Sequence, residues 1–276
     1  MGLLNKDVLK FDAEHATEKI LRFIRKVVRD AKSSGVVLGL SGGVDSALTA
    51  ALCVRALGAD KVLGVLMPTA FTPAEDMRDA VELAQSLGMK IERVGIEEIT
   101  EAFMDALKIK RDDAKLKIPL ANMRARVRML ILYFYANAYN YLVAGTGDYS
   151  ETLIGYFTKY GDGAADFFPI RHIYKTQVRE LARYLGIPDR IASKPSSPNL
   201  YPGHKLSDEL PLDYDRLDPV LFGLFDLRLP PEKVSEMTGV PLGIVEEIIA
   251  RHRRTEHKRR PPKSLIKQRD EVIRDV

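Results

Sequence analysis

Tryptophan is absent from the 276 residues, and cysteine occurs once, at Cys53. A single cysteine excludes an intrachain disulfide framework and any cysteine-based metal site, and it suits a reducing compartment, the cytoplasm. No apolar run approaches the ~20 residues that cross a bilayer, so no membrane partner is expected. Residues 1–15 carry acids early and lack a long apolar stretch, which argues against a secretory signal. Met1-Gly2 is not followed by the Ser or Thr of a myristoylation pattern. Repeats are missing, as is a second complete α/β unit, so one domain is expected. Glutamine is scarce while Lys, Arg and Glu are plentiful, a balance resembling that of heat-adapted proteins.

What is present is enough for a full core, with 46% hydrophobic residues. The net charge of +4 is unevenly spread. Arg251, Arg253, Arg254, Lys258, Arg259, Arg260 and Lys263 stand against Glu256 alone, and the remainder is slightly acidic. Such a run reads as a nucleic-acid patch, a solvated face or a tail folded over a small anion. No aromatic residue interleaves with it, which weakens a stacking platform for single strands.

The most informative stretch is VVLGLSGGVDSALTAALCVRAL, residues 36–57. An apolar strand over 36–40 meets the loop Ser41-Gly42-Gly43-Val44-Asp45-Ser46, and a helix follows over 45–57. Strand, glycine loop and helix start form a cradle for phosphate, because backbone N–H groups converge on an anion there. Ser41 and Ser46 add hydroxyl donors. Asp45 would repel a phosphate unless a cation such as Mg²⁺ lay between them. The Gly-Lys-Ser/Thr ending of a Walker A loop is missing. The plainer alternative is an α/β turn built of small residues.

Further strands are expected over 61–67, 90–94 and 141–145. Helices are expected over 14–31, 73–87 with Thr72 as cap, 96–107, 119–140 and 174–185. This alternation implies an α/β, doubly wound parallel sheet. Short helices over 214–254 form a helical C-terminal extension. The expected division is a core over 14–192, a lid-like loop rich in Pro, Ser and Gly over 193–213, and the extension with its basic tail over 214–276.

Several side chains invite chemical roles. Arg124, Arg126 and Arg128 open the helix over 119–140; Arg124 and Arg128 read as a solvated flank, and one Arg facing the cleft fits the chain's course into the next strand. The loop Gly145-Thr146-Gly147-Asp148-Tyr149-Ser150-Glu151 sits at a strand's carboxyl end, where open α/β sheets bind ligands. Thr146 offers a hydroxyl. Glu151 reads first as an acid favoured by a helix start and second as a metal ligand that could share Mg²⁺ with Asp45. Residues 155–169 mix aromatics, charges and glycines without a period, as a packed loop or a seat for a flat polar ligand would. Lys175 at a helix start opposes the dipole and makes sense if it neutralises phosphate.

The serine-framed loop resembles the signature of the N-type ATP pyrophosphatases, whose fold is Rossmann-like (adenine nucleotide alpha-hydrolase-like). Residues 145–151, the motif Thr158-Lys159-Tyr160-Gly161-Asp162-Gly163 and residues 255–259 extend the resemblance to the ammonia-dependent NAD synthetases, in their short archaeal–bacterial form, across nearly the whole chain. The resemblance implies a ligase with ATP, deamido-NAD and ammonia as substrates, Mg²⁺ as cofactor and a homodimer as assembly. It implies that Gly39, Leu40, Ser41, Gly42, Gly43, Val44, Asp45 and Ser46 hold the ATP phosphates, with Thr146, Lys175 and Ser197 as further ATP contacts. Asp45 and Glu151 are implied as metal ligands, and Asp45 and Lys175 as catalytic. Arg126, Lys159, Asp166, His257 and Lys258 are implied as deamido-NAD contacts, which turns the basic tail from nucleic acid toward substrate. Ser197 stands where the family more often has Thr, and the segment after Leu200 is less acidic than usual. No glutaminase region accompanies these motifs, so ammonia is expected from solution or from a partner protein. The rivals are the ATP-pyrophosphatase half of a GMP synthetase, which would lack the 158–163 motif, and a non-catalytic nucleotide- or RNA-binding protein. The second would have no use for Asp45, Glu151 and Lys175.

Overall fold

Four strands form one parallel sheet in the order β3-β2-β1-β4, from β1 (Gly35–Gly39), β2 (Val62–Leu66), β3 (Lys90–Arg93) and β4 (Tyr141–Val143). The structure, a computed structural model, describes residues 4–109, 113–195, 201 and 210–262. Val36 lies opposite Val62 on one side and Leu142 on the other. The sheet grows from β1 to β3 and then reverses, so that β4 joins the free side of β1. The crevice at such a reversal, outside the strands' carboxyl ends, is where doubly wound sheets place ligands.

Both faces of the sheet are covered, and β1 shows why its sequence is continuously apolar. Val36 and Leu38 pack into one cluster while Val37 packs into another, as alternation along a strand requires. The first cluster takes Ile20 and Ile24 from α1 (Ala13–Asp30), Leu48 and Leu52 from α2 (Val44–Leu57) and Leu83 from α3 (Ala74–Ser86). The opposite face lies against Ile96, at the start of α4 (Glu97–Ala106), and Val127 and Ala136 of α5 (Lys117–Tyr139). After β4 come α6 (Tyr149–Ile154), α7 (Lys175–Tyr184) and α8 (Asp189–Ala192). Leu181 of α7 returns to the first cluster.

The C-terminal extension consists of α9 (Tyr214–Leu221), a π-helical turn (Phe222–Asp226), α10 (Pro231–Thr238), α11 (Leu242–Arg254) and α12 (Glu256–Arg259). It has its own apolar cluster, in which Leu217, Val220, Val234, Val245 and Ile248 meet Leu153 and Ile154 of α6. Residues 196–200 and 202–209, most of the expected lid-like loop, lie outside the described residues.

One expected cap is not made. Thr72 does not cap α3; its Oγ1 accepts the Thr69 N–H at 2.9 Å, and Pro73 occupies the N-cap without a side-chain bond. The hydroxyl closes its own turn instead, because the Thr69–Thr72 backbone bond of 3.1 Å brings the two threonines together.

Candidate active site

The loop after β1 is built by its two serines. Ser46 Oγ donates to Gly43 O at 3.0 Å and lies 3.1 Å from Ser41 Oγ. Gly42 adopts φ +81°, and a Cβ there would sit 2.2 Å from Asp76 O. Glycine is required at that position by both conformation and space. Asp45 stands in the first turn of α2.

The second loop follows β4. Asp148 Oδ1 accepts the Glu151 N–H at 2.7 Å, and Glu151 Oε2 accepts the Asp148 N–H at 3.4 Å, a capping box that starts α6. The two carboxylates thereby face one point, and Lys175 of α7 fills it. Its Nζ lies 2.7 Å from Asp45 Oδ2, 2.9 Å from Asp148 Oδ2 and 3.0 Å from Glu151 Oε1. Lys175 is 0% exposed. Burial opposes its charge, yet Asp148, Asp45 and Glu151 together outweigh that and hold its pKa well above the usual lysine range. Burial also pushes the carboxyls up, Asp148 to about 6 and Glu151 to about 8, despite the ammonium between them. Asp45 Oδ1 is buried and has no hydrogen-bond partner.

Of these groups Asp45 and Glu151 border a cavity of about 920 Å³ at the carboxyl ends of β1 and β4. Gly39, Leu40, Ser41, Gly43, Val44, Asp45 and Ser46 line it, with Thr146 and Glu151 on the facing wall. Lys175 is not on the wall; the carboxylates stand between it and the space. On the far side Phe157, Thr158 and Asp162 line the cavity. This stretch is fixed by the Thr158 N–H bond to Asp162 Oδ1 at 2.9 Å and the Thr158 Oγ1 bond to Asn122 Oδ1 at 2.7 Å. Lys258 also lines the cavity, and its Nζ donates to Gly155 O and Phe157 O at 2.8 and 2.7 Å.

The other expected substrate contacts lie elsewhere. Arg126 is exposed and donates to Lys159 O at 3.2 Å. Asp166 is exposed and accepts the Val143 N–H at 2.7 Å and the Tyr133 O–H at 3.3 Å. His257 is exposed on α12. None of Arg126, Lys159, Asp166 and His257 lines the cavity. Ser197 falls outside the described residues.

The arginine reading is corrected. Arg128 lines the cavity and donates from Nε to Met67 O at 3.2 Å. Burial, with the like charge of Arg124, lowers its pKa to about 10. Helical period is the reason: Ala121, Ala125, Arg128 and Leu132 share the cavity-facing stripe of α5. Asp148 is not among the site residues expected from the sequence, although Asp148-x-x-Glu151 spells a capping box there. Arg171, outside the cavity wall, stacks 3.0 Å above the Phe168 ring, and burial lowers its pKa to about 10.

A doubly wound parallel sheet, a glycine–serine loop opening α2 and converging carboxylates at the switch point define a nucleotide-handling α/β enzyme. More narrowly, the chain belongs to the NAD synthase family, whose model matches residues 16–262. An NH(3)-dependent NAD(+) synthetase of Staphylothermus marinus is 45% identical over 280 residues, covering 100% of both chains. Among solved structures, an NH3-dependent NAD synthetase from Campylobacter jejuni matches with a TM-score of 0.78 and 33% identity over 93% of this chain and 100% of that one. An NMN synthetase from Francisella tularensis matches with a TM-score of 0.80 and 32% identity over 93% and 99%.

Proposed function

We propose that the chain makes NAD from deamido-NAD, ATP and ammonia. The observation that supports this most directly is the convergence of Asp45, Glu151 and Lys175 from three separate elements beside a phosphate-type loop. The nicotinate carboxylate attacks the α-phosphorus of ATP, and pyrophosphate leaves. Adenylation turns a carboxylate oxygen, a poor leaving group, into part of AMP. Ammonia then attacks the acyl carbon, AMP departs and the amide of NAD remains.

The residues' tasks follow from where charge develops. Pyrophosphate gains negative charge as the P–O bond breaks, and the backbone N–H groups at the start of α2 are the donors that suit it. Lys175 supplies positive charge behind Asp45 and Glu151 and keeps the two carboxylates together. Lys258 and Arg128 bring positive charge to the wall that faces the loop.

The site fits Mg²⁺. Three carboxyl groups crowd one ammonium, a cation beside them would favour the charged form of Glu151, and the buried, unpartnered Asp45 Oδ1 is an oxygen ligand in waiting. Among the described residues no group of three or more His, Cys, Asp or Glu side chains forms a metal cage. That suits an ion held by Asp45 and Glu151 and completed by phosphate oxygens and water, as Mg²⁺ prefers. When bound it would screen the phosphates and polarise their oxygens.

Of the residues that the resemblance implies as deamido-NAD contacts, all but Lys258 lie away from the cavity, which fits a homodimer. Arg126, Leu130 and Phe134 follow one another at four-residue spacing on α5, and Leu130 and Phe134 are 63% and 67% exposed. An exposed apolar stripe carrying a substrate arginine is best explained by a second copy that covers it and shares the substrate site. No helix of the described residues is long and apolar enough to cross a membrane.

The test is one incubation with ATP, Mg²⁺, ammonium and deamido-NAD, run beside nicotinate mononucleotide because of the similarity to an NMN synthetase. NAD, AMP and pyrophosphate are expected, with little product from glutamine and none without Mg²⁺. Asp45→Ala abolishes turnover. ADP as product overturns the reading, and faster use of the mononucleotide moves the substrate assignment.

A further inference from the structure

Lys258 of α12 reaches the cavity wall, but it is α9 of the C-terminal extension that packs behind the Lys175 centre, with two side chains one turn apart. Asp218 is fully buried. Its Oδ1 accepts the Ser150 hydroxyl at 2.6 Å, and its Oδ2 accepts the Thr176 N–H at 2.8 Å. Ser150 Oγ in turn accepts the Lys175 N–H at 2.9 Å. Tyr214, four residues earlier on α9, places its ring 5.2 Å from Lys175 Nζ. Neither Asp218 nor Ser150 lines the cavity.

We propose that Asp218 is a positioning residue for the adenylating centre: from α9 it ties together the first turns of α6 and α7 and so sets Glu151 against Lys175. The proposal rests on the functional reading above. Ser150 precedes Glu151, and Thr176 follows Lys175, so one carboxylate grips the immediate neighbour of each charged partner. The two helix starts also meet through the Tyr149 N–H bond to Ile173 O at 2.9 Å, and Asp218 adds the tie that lies directly beside Glu151 and Lys175. A carboxylate suits this place because it offers two acceptors to two donors that arrive from different helices, and both donors lie at helix starts that favour negative charge. The same helix then backs the ammonium with an aromatic face. The extension is therefore part of the active-site frame, in addition to covering α6.

Asp218→Asn keeps the shape but removes the charge and replaces one acceptor by a donor, so the Ser150 hydroxyl proton loses its acceptor and must turn away from residue 218. Ångström-scale misplacement of reacting groups costs of the order of 10²-fold in rate. In the folded variant, assayed well below its Tm, kcat for NAD formation is expected to fall ~10–100-fold, while KM for ATP changes less than ~3-fold because the phosphate loop belongs to β1 and α2. Ser150→Ala should give a similar loss, and the double variant little more than either single one. Val234→Ala, in the same apolar cluster but remote from Lys175, should lower Tm and leave kcat as it is. A second readout needs no reaction: the exchange-protected ¹H–¹⁵N signal of the Lys175 ammonium should shift or broaden in Asp218→Asn and stay unchanged in Val234→Ala.

Wild-type kcat in folded Asp218→Asn, additive losses in the double variant, or an unmoved ammonium signal each overturn the proposal. If the wild-type chain makes no NAD while the ammonium signal still responds to Asp218→Asn, the reaction assignment falls and the positioning of Lys175 stands.

Discussion

At the scale of single residues, the site depends on a few positions with no tolerance. Gly42 is one. Its φ of +81° and the 2.2 Å approach of Asp76 O to any Cβ exclude other side chains. Gly42→Ala is expected to cost at least about 1–3 kcal/mol in chemical denaturation from backbone strain alone, and to weaken ATP binding because the loop must shift away from α3. Wild-type stability with wild-type ATP affinity would show that the loop relaxes freely. Glu151 takes the first of its two readings, the acid at a helix start, and adds a contact that neither named. It closes a capping box with Asp148, and it is also a partner of Lys175. Asp148 is the quieter member of the pair, and only its burial beside Lys175 reveals that it belongs to the charged centre.

At the scale of elements, α12 illustrates how a basic tail becomes part of a binding wall. Lys258 donates to two carbonyls of the aromatic stretch, Gly155 O and Phe157 O, and so holds it against the cavity. Hydrogen bonds to a charged group contribute about 1.5–3 kcal/mol, so Lys258→Ala is expected to raise KM for deamido-NAD by roughly 10-fold or more. KM for ATP should change less. The reverse order in steady-state kinetics would move this wall to the ATP side. The α5 arginines carry the complementary lesson. Arg126 and Arg128 are two residues apart, which on a helix places them on different faces. One lines the cavity and the other shares the exposed stripe of Leu130 and Phe134.

At the scale of the whole molecule, the sheet, the extension and the proposed dimer meet around one crevice. The extension reaches it through Lys258 and stands behind its charged centre through Tyr214 and Asp218. The proposed partner copy reaches it along α5. Phe134→Asp is expected to convert the dimer to monomer in sedimentation equilibrium and to depress activity toward deamido-NAD, while the Asp45–Lys175 centre stays intact. A dimer that survives this substitution would place the interface elsewhere.

Much was settled by local sequence alone. The apolar strands and the amphipathic α1 fix an α/β chain, because their periodicity matches the faces that the sheet and helices must bury. The spacing of Ser41, Gly42, Asp45 and Ser46 specified a phosphate-type loop, because a loop's own backbone and hydroxyls build it. The tertiary structure decided what depends on distance across the chain. Asp45, Asp148, Glu151 and Lys175 become a single charged centre only when α2, α6 and α7 converge. Asp218 becomes relevant to it only because α9 packs behind them. No local pattern encodes such meetings, since a carboxylate's partner is chosen by the packing that buries it.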